Sequence, residues 1–322
     1  MADLMEQLDQ AIDRLLRGDP SATPLDPDLS GLTKVAIGLR NMPDDRFKTR
    51  LIRELADKFQ RRPDMNVVEE VTIETITSFI CVPEATRLIE FMKHTFGAVE
   101  TNRHPHGPDG FVANVMIGES NVLVMGGESL RGQESSAALH VYVKDCDATY
   151  KRALEAGAVT IGSDGIGEPA DRPYGERAAF VADPFGNTWF IATRLGSDYV
   201  GSGLQHVTPC LLPSDVPPVL DFLKRVFDAK VEGVHEAGGH MVHAFVRIGN
   251  MTMEMAEASA EPANPFAFYL RTNDVDALHR RAMAAGAASL LAPADQTFGE
   301  RLAIFTDPGG NRWLAVKSIA AG

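Results

Sequence analysis

The sequence predicts an α+β protein: four βαβββ units, arranged as two tandem copies of a two-unit domain, behind a small helical N-terminal appendage. Three observations predict it. A block from Tyr174-Gly175-Glu176-Arg177 through Asp183-Pro184-Phe185-Gly186-Asn187 to Trp189 returns as Phe298-Gly299-Glu300-Arg301 through Asp307-Pro308-Gly309-Gly310-Asn311 to Trp313. Upstream, Phe91 to Phe96-Gly97-Ala98 matches Phe222 to Phe227-Asp228-Ala229, and Ile117-Gly118 matches Ile248-Gly249 at the same offset. Between these landmarks, Asp145-Cys146-Asp147 leads to Gly157 just as Asp274-Val275-Asp276 leads to Gly286. Landmarks repeated in one order are the mark of duplicated supersecondary units.

The elements follow from periodicity. In residues 1–66, Leu4, Leu8, Ile12 and Leu15 recur at helical spacing until Gly18, Pro20, Pro24 and Pro27 break the pattern. A second stripe runs from Leu29 to Leu39, and Pro43 opens a third through Phe47, Leu51, Leu55 and Phe59, with Asp44 and Asp45 in its first turn. The basic residues of that third helix, Arg46 to Arg62, read as a solvated face or as a contact surface for docking or self-association.

In the first domain, 72–197, a β-branched apolar strand at 71–82 precedes an amphipathic helix at 84–96 closed by Gly97, and strands follow at 98–103, 111–117 and 121–125. The grammar repeats with a strand at 139–143, a helix at 147–156 closed by Gly157, and strands near Val159, at 178–182 and at 188–193. The second domain, 203–319, carries the same two units at 204–257 and 266–316.

Bulk properties narrow the function. A net charge of −13 opposes binding to nucleic acid, which requires a basic footprint. No run of about 18 apolar residues is present to cross a bilayer, and the Met1 end lacks the pattern of a secretory signal, so a cytoplasmic protein without membrane association is expected. Cys81, Cys146 and Cys210 stand apart without metal-finger spacing and read as buried thiols. Neither a phosphate-cradling glycine loop nor a GxSxG elbow appears. The expected partner is a small molecule.

Four such units, with the Phe-x-x-x-x-Phe-Gly-Ala helix end, the Asp-x-Asp helix start and the Gly-Glu-Arg to Asp-Pro-x-Gly-Asn-x-Trp ending, resemble the vicinal oxygen chelate superfamily. That superfamily includes glyoxalase I, bleomycin-resistance proteins and extradiol dioxygenases. The resemblance implies paired units whose sheets curl into an open cup, with metal ligands on the first and last strands of each unit in the metal-using members. It also implies pairing of the two domains within the chain. Carried onto this sequence, the ligand positions fall on Thr77 and Thr208, on Ala138 and Ala267, and on Phe190 and Leu314. These side chains offer no imidazole or carboxylate to a divalent cation. Only Glu254 falls at such a position, and its counterpart is Leu123. No metal and no cofactor are expected, and the resemblance is nearest to the bleomycin-resistance-like members.

The constant offset maps His206, His243, Arg247 and Glu254 onto Thr75, Val112, Met116 and Leu123, so the second domain is the more polar. Strand alternation puts His206, Thr208 and Cys210 on one face and His243, Phe245 and Arg247 on one face of another strand. His243, Glu254 and His206 are the catalytic candidates. Histidine beside a carboxylate suits proton abstraction next to a carbonyl, while a mere hydrogen bond at the cup rim and an improvised His206/His243/Glu254 metal site are the alternatives. Thr208, Cys210, Arg247, Arg301, Trp313, Thr77, Arg177 and Trp189 are the ligand-binding candidates. Against that, Arg177 and Arg301 are expected to pair with Glu176 and Glu300, the tryptophans to lie in the core, and His140 to be a plain strand residue.

The sequence therefore points first to a protein that binds a small apolar or aromatic molecule in a metal-free cup. An isomerase, lyase or dioxygenase acting on an oxygenated substrate in the second domain is one alternative. A scaffold docking a partner through its N-terminal helices is another.

Overall fold

The computed structural model describes residues 71–162, 165–196, 206–237, 240–258 and 266–319. The helices expected over residues 1–66 lie outside them. In the first unit, β1 (Ile73–Cys81) leads through α1 (Ala85–Phe96) to the meander β2 (Val99–His106), β3 (Gly110–Ile117) and β4 (Ser120–Gly126). The second unit comprises β5 (Ala138–Tyr142), α2 (Cys146–Glu155), two short strands β6 (Val159–Thr160) and β7 (Ala170–Arg172), then β8 (Glu176–Ala182) and β9 (Thr188–Arg194). The third repeats the first with β10 (Val207–Leu211), α3 (Val216–Phe227), β11 (Lys230–Ala237), β12 (His240–Ile248) and β13 (Met251–Ala256). The fourth closes the chain with β14 (Ala267–Thr272), α4 (Val275–Ala284), β15 (Ala288–Asp295), β16 (Glu300–Thr306) and β17 (Arg312–Ser318).

The repeated motifs fix the ends of these elements. Asp145 and Asp274 cap α2 and α4, each carboxylate accepting a 2.9 Å hydrogen bond from the backbone N–H three residues on. Helix α1 stops at Gly97 in the left-handed region, φ 68°. Asp228 holds the equivalent place after α3 at φ 54°, a conformation that aspartate tolerates better than most side chains. The buried Asp307 carboxylate organises the last turn. It accepts from the backbone N–H groups of Gly309 and Asn311, from the Asn311 amide, and from the Trp313 indole at 3.1 Å. Asp183 does the same for Phe185, Asn187 and Trp189.

Helices and strands follow different pairing rules. On the helix side, the tryptophan and arginine contacts are made within a repeat: Trp189 packs on Phe96 of α1 at 4.8 Å between centroids, and Trp313 on Phe227 of α3 at 4.4 Å. Arg152 of α2 donates to the Thr95 carbonyl, and Arg281 of α4 to that of Arg225. On the strand side, each continuous sheet is shared between the repeats. The eight-stranded sheet runs β15-β16-β17-β14-β1-β4-β3-β2 and so joins the first unit to the fourth. The nine-stranded sheet runs β11-β12-β13-β10-β5-β9-β8-β6, with β7 on β8, and joins the second unit to the third. The expected intrachain pairing of the domains is thus present, and the expectation of one cup per domain is corrected: each cup takes one unit from each repeat. The seams are antiparallel, with Thr77 opposite Tyr269 on β1 and β14, and Thr208 opposite His140 on β10 and β5.

Residues alternate across each sheet between the helix side and the cup. Leu139, Val141, Trp189, Ile191, Met253 and Met255 face the helices in a single apolar core that includes side chains from all four units. Their neighbours along the strands face the cups.

Candidate functional site

In the nine-stranded sheet, strand register gathers one face into a site. Glu254 of β13 is opposite Cys210 of β10, Thr208 is opposite His140 of β5, and His140 is opposite Phe190 of β9. On the other flank Phe245 of β12 is opposite Glu254. Cross-strand partners share a face, so these side chains line one cup.

At its floor, His140 lies between two carboxylates. Its Nδ1 is 3.2 Å from both Oε1 and Oε2 of Glu254. Its Nε2 is 3.2 Å from Oε2 of Glu176, within ion-pair distance but without the alignment of a hydrogen bond. Glu176 and Glu254 are 1% and 5% exposed. Burial by itself disfavours the imidazolium, yet the two carboxylates outweigh it and push the His140 pKa up to about 9. Tyr142 stacks on the ring at 4.5 Å, and the Thr208 hydroxyl, fully buried in the same face, finds no hydrogen-bond partner among the described residues. Burial and the neighbouring Glu254 carboxylate raise the Cys210 thiol well above its usual range, which keeps it protonated.

His243 also faces this cup, packed edge-on against Phe245 at 4.7 Å. Burial lowers its pKa, opposed by Glu254 and reinforced by His235 and His140. The hydrogen bonds of Glu254 go to His140 and not to His243. His206 is exposed at the start of β10, its ring against Gly118 of the first unit. The catalytic candidates are thus spread over the cup, with Glu254 on its floor and His206 at its edge.

The eight-stranded sheet forms the other cup, around a cavity of about 960 Å³. Phe79, Val112, Leu123, Met125, Ile304 and Leu314 line it together with Thr77. Its polar end is a triad in which the Tyr269 hydroxyl donates to Glu300 at 2.6 Å and Arg271 donates to the other oxygen of Glu300, also at 2.6 Å. Burial and the Glu300 carboxylate hold the Tyr269 phenol above its usual pKa, so it is a neutral hydroxyl. Tyr269 and Glu300 occupy the same strand positions here as His140 and Glu176 in the other cup, and Leu123 stands where that cup has Glu254.

The remaining candidates lie elsewhere. Arg177 pairs with Asp147 and Asp171, and Arg301 with Asp276 and Asp295. This corrects the expected pairing with Glu176 and Glu300. Adjacent strand residues face opposite ways, so when the arginine turns to the helix-start aspartate its neighbouring glutamate turns into the cup. Arg247 pairs with Glu232. Trp189 and Trp313 are fully buried on the helix side. The seam register also shifts two of the presumed ligand positions: His140 and Tyr269 lie opposite Thr208 and Thr77, whereas Ala138 and Ala267 are two residues removed. Among the described residues no three His, Cys, Asp or Glu side chains come together in an arrangement able to hold a metal ion, and no helix is long and apolar enough to cross a membrane.

Comparisons with known proteins bear on this architecture. The family model for the Glyoxalase/Bleomycin resistance protein/Dioxygenase superfamily matches residues 72–191 and again 203–314. An uncharacterized protein of Mycobacterium bovis is 32% identical over 128 residues, 36% of this chain and 80% of the relative. A Mycobacterium tuberculosis protein matches at the same identity, with 72% of its length covered. Among solved structures, glyoxalase I from Zea mays superimposes with a TM-score of 0.60 at 14% identity, covering 77% of this chain and 94% of that one. A putative dioxygenase from Bacillus subtilis gives 0.50 at 13% identity, covering 78% and 87%. At such identities these structures share the fold.

Proposed function

The chain belongs to the glyoxalase/bleomycin resistance protein/dioxygenase superfamily, and from that premise we propose that it binds a small apolar or aromatic molecule in the cup of the eight-stranded sheet, without a metal ion. The observation that carries the reading is the 960 Å³ cavity with its apolar floor. A space of that size, with an apolar floor and with polar side chains such as Asn114, Asn121, Arg271 and Glu300 also in its lining, has the composition of a small-molecule site. At the polar end Arg271, tied to Glu300, offers further guanidinium N–H groups to a ligand oxygen, while the Tyr269 hydroxyl, whose proton goes to Glu300, is left to accept from a ligand donor.

The donor chemistry opposes a metal in either cup. The four positions around the seam of the eight-stranded cup hold Thr77, Leu123, Tyr269 and Leu314, which supply no carboxylate or imidazole. In the nine-stranded cup they hold Thr208, Glu254, His140 and Phe190, and both ring nitrogens of His140 already face carboxylates. A protonated imidazole has no lone pair to give a cation.

Binding of 2-naphthol to the full chain, followed by the fluorescence of the probe, tests the reading. Leu123→Arg and Leu314→Arg each place a charge in the apolar floor and are expected to weaken binding at least about tenfold. Unchanged affinity in both folded variants, or a stoichiometric divalent ion required for binding, would sink it.

A further inference from the structure

We propose that the nine-stranded cup is a second, chemically distinct binding site that takes a protonated amine carried on an aromatic or apolar body, its ammonium donating to Glu254 and Thr208. The inference starts from the acceptor capacity of Glu254. Both of its oxygens contact the one nitrogen of His140 at 3.2 Å, and a carboxylate offers about four lone-pair sites. Glu254 is almost entirely buried, so bulk water does not satisfy the remainder. The Thr208 hydroxyl lies on the same face, fully buried, and likewise has no partner among the described residues. It is linked to Glu254 through Cys210, which is two residues along β10 and in register with Glu254. Buried polar groups left with unused capacity mark a place where a partner belongs.

The chemistry of that partner follows from the groups that face it. The His140 Nε2–H has no aligned acceptor, but both ring nitrogens lie 3.2 Å from a carboxylate oxygen, so the positive charge of the ring is matched by Glu176 and Glu254 together. Two carboxylates against one imidazolium leave the cup floor net negative, and the Glu254 oxygens with the Thr208 hydroxyl are acceptors that an ammonium with its three N–H donors matches. An anionic ligand would meet Glu254 and Glu176 and be repelled. The walls beside Glu254 are aromatic: Phe245 is directly across from it, and Phe190 is across from His140. Arg172 and Arg194 already cover Phe180 and Tyr142 at 5.0 and 4.3 Å, which leaves Phe190 and Phe245 as the aromatic walls open to a ligand cation. A cation over such faces gains further attraction. The eight-stranded cup has Leu123 and Val112 where this one has Glu254 and His243, and is not suited to the same ligand.

Calorimetric titration of the full chain at pH 7 with 2-phenylethylammonium, beside 2-phenylethanol as a neutral probe with the same body, tests the proposal. The ammonium is expected to bind at least about tenfold more tightly than the alcohol, and Glu254→Gln is expected to abolish that preference. Thr208→Val keeps the shape of the side chain and is expected to weaken the ammonium about threefold with the alcohol unchanged; it decides the matter if Glu254→Gln does not fold. Leu123→Arg, which blocks the other cup, is expected to leave the preference intact. Equal binding of the two probes, an unchanged preference in both cup variants, or a preference lost in Leu123→Arg would overturn the proposal.

Discussion

His140 and Glu254, 114 residues apart in sequence and in different repeats, are joined at 3.2 Å through the histidine Nδ1, and this contact crosses the seam of the nine-stranded sheet. It ties the ionisation of one repeat to the folding of both.

The first consequence is a pH dependence. The usual histidine pKa of 6.5 is raised to about 9 in the fold, because Glu176 and Glu254 overcome the cost of burying the imidazolium. A proton bound more tightly in the folded than in the unfolded chain stabilises fully below about pH 6.5, and that contribution is lost as pH rises through about 9. It amounts to about 3 kcal/mol. Denaturant unfolding is expected to show this loss between pH 6.5 and 9 in the native chain and not in His140→Gln, and NMR titration of His140 should place its midpoint near the upper limit. A midpoint near 6.5 would contradict the arrangement.

Removing one partner leaves the other buried with less to compensate it. Glu254→Ala leaves the buried imidazolium with one carboxylate fewer and opens space beside Cys210, and a loss of about 3 kcal/mol is expected from chemical denaturation. Glu254→Gln, which retains an acceptor for Nδ1, should be milder. Equal effects would mean that volume, not charge, dominates.

The repeated turn makes a paired prediction. Asp183 and Asp307 each gather backbone, amide and indole donors in the core. Asp183→Ala and Asp307→Ala should each destabilise by about 3 kcal/mol, since each leaves several buried donors unpaired, and each should shift the fluorescence of its own tryptophan. A change below about 0.5 kcal/mol, the size typical of an ordinary surface substitution, would show that the turn holds itself.

Separating the repeats should expose the seams. A fragment spanning residues 70–200 retains its helix packing but loses the strands paired with β1 and β5. Open strand edges seek partners, and the fragment is expected to sediment as a dimer in which two copies rebuild both sheets. A monodisperse monomer at micromolar concentration would refute this.

Much of the fold was legible in the sequence because its signals are local. The amphipathic helix closed by Gly97, the Asp-x-Asp starts and the Asp-Pro-x-Gly turns each act within a few residues, and these recur in the described residues. The short β7 was missed; it is a three-residue strand at the edge of the nine-stranded sheet, too brief to show a period. The seam was also out of reach. Pairing β1 with β14, or instead with the second unit of its own repeat, buries equivalent faces, so alternation does not distinguish them. The site suffered most from this. His140 sits two residues from Ala138, the expected ligand position, on the same face, and its carboxylate partners come from β8 and from the other repeat. In the sequence Glu176 looks like the mate of its neighbour Arg177, whereas that arginine reaches Asp147.

The division of labour between helices and strands also has an evolutionary implication. When a cup is assembled from two identical subunits, any substitution appears in both sites at once. Here each half-cup is encoded separately, so a leucine at position 123 and a glutamate at position 254 coexist in one molecule. A fused duplicate of this sort is free to keep one bowl oily while the other acquires charge.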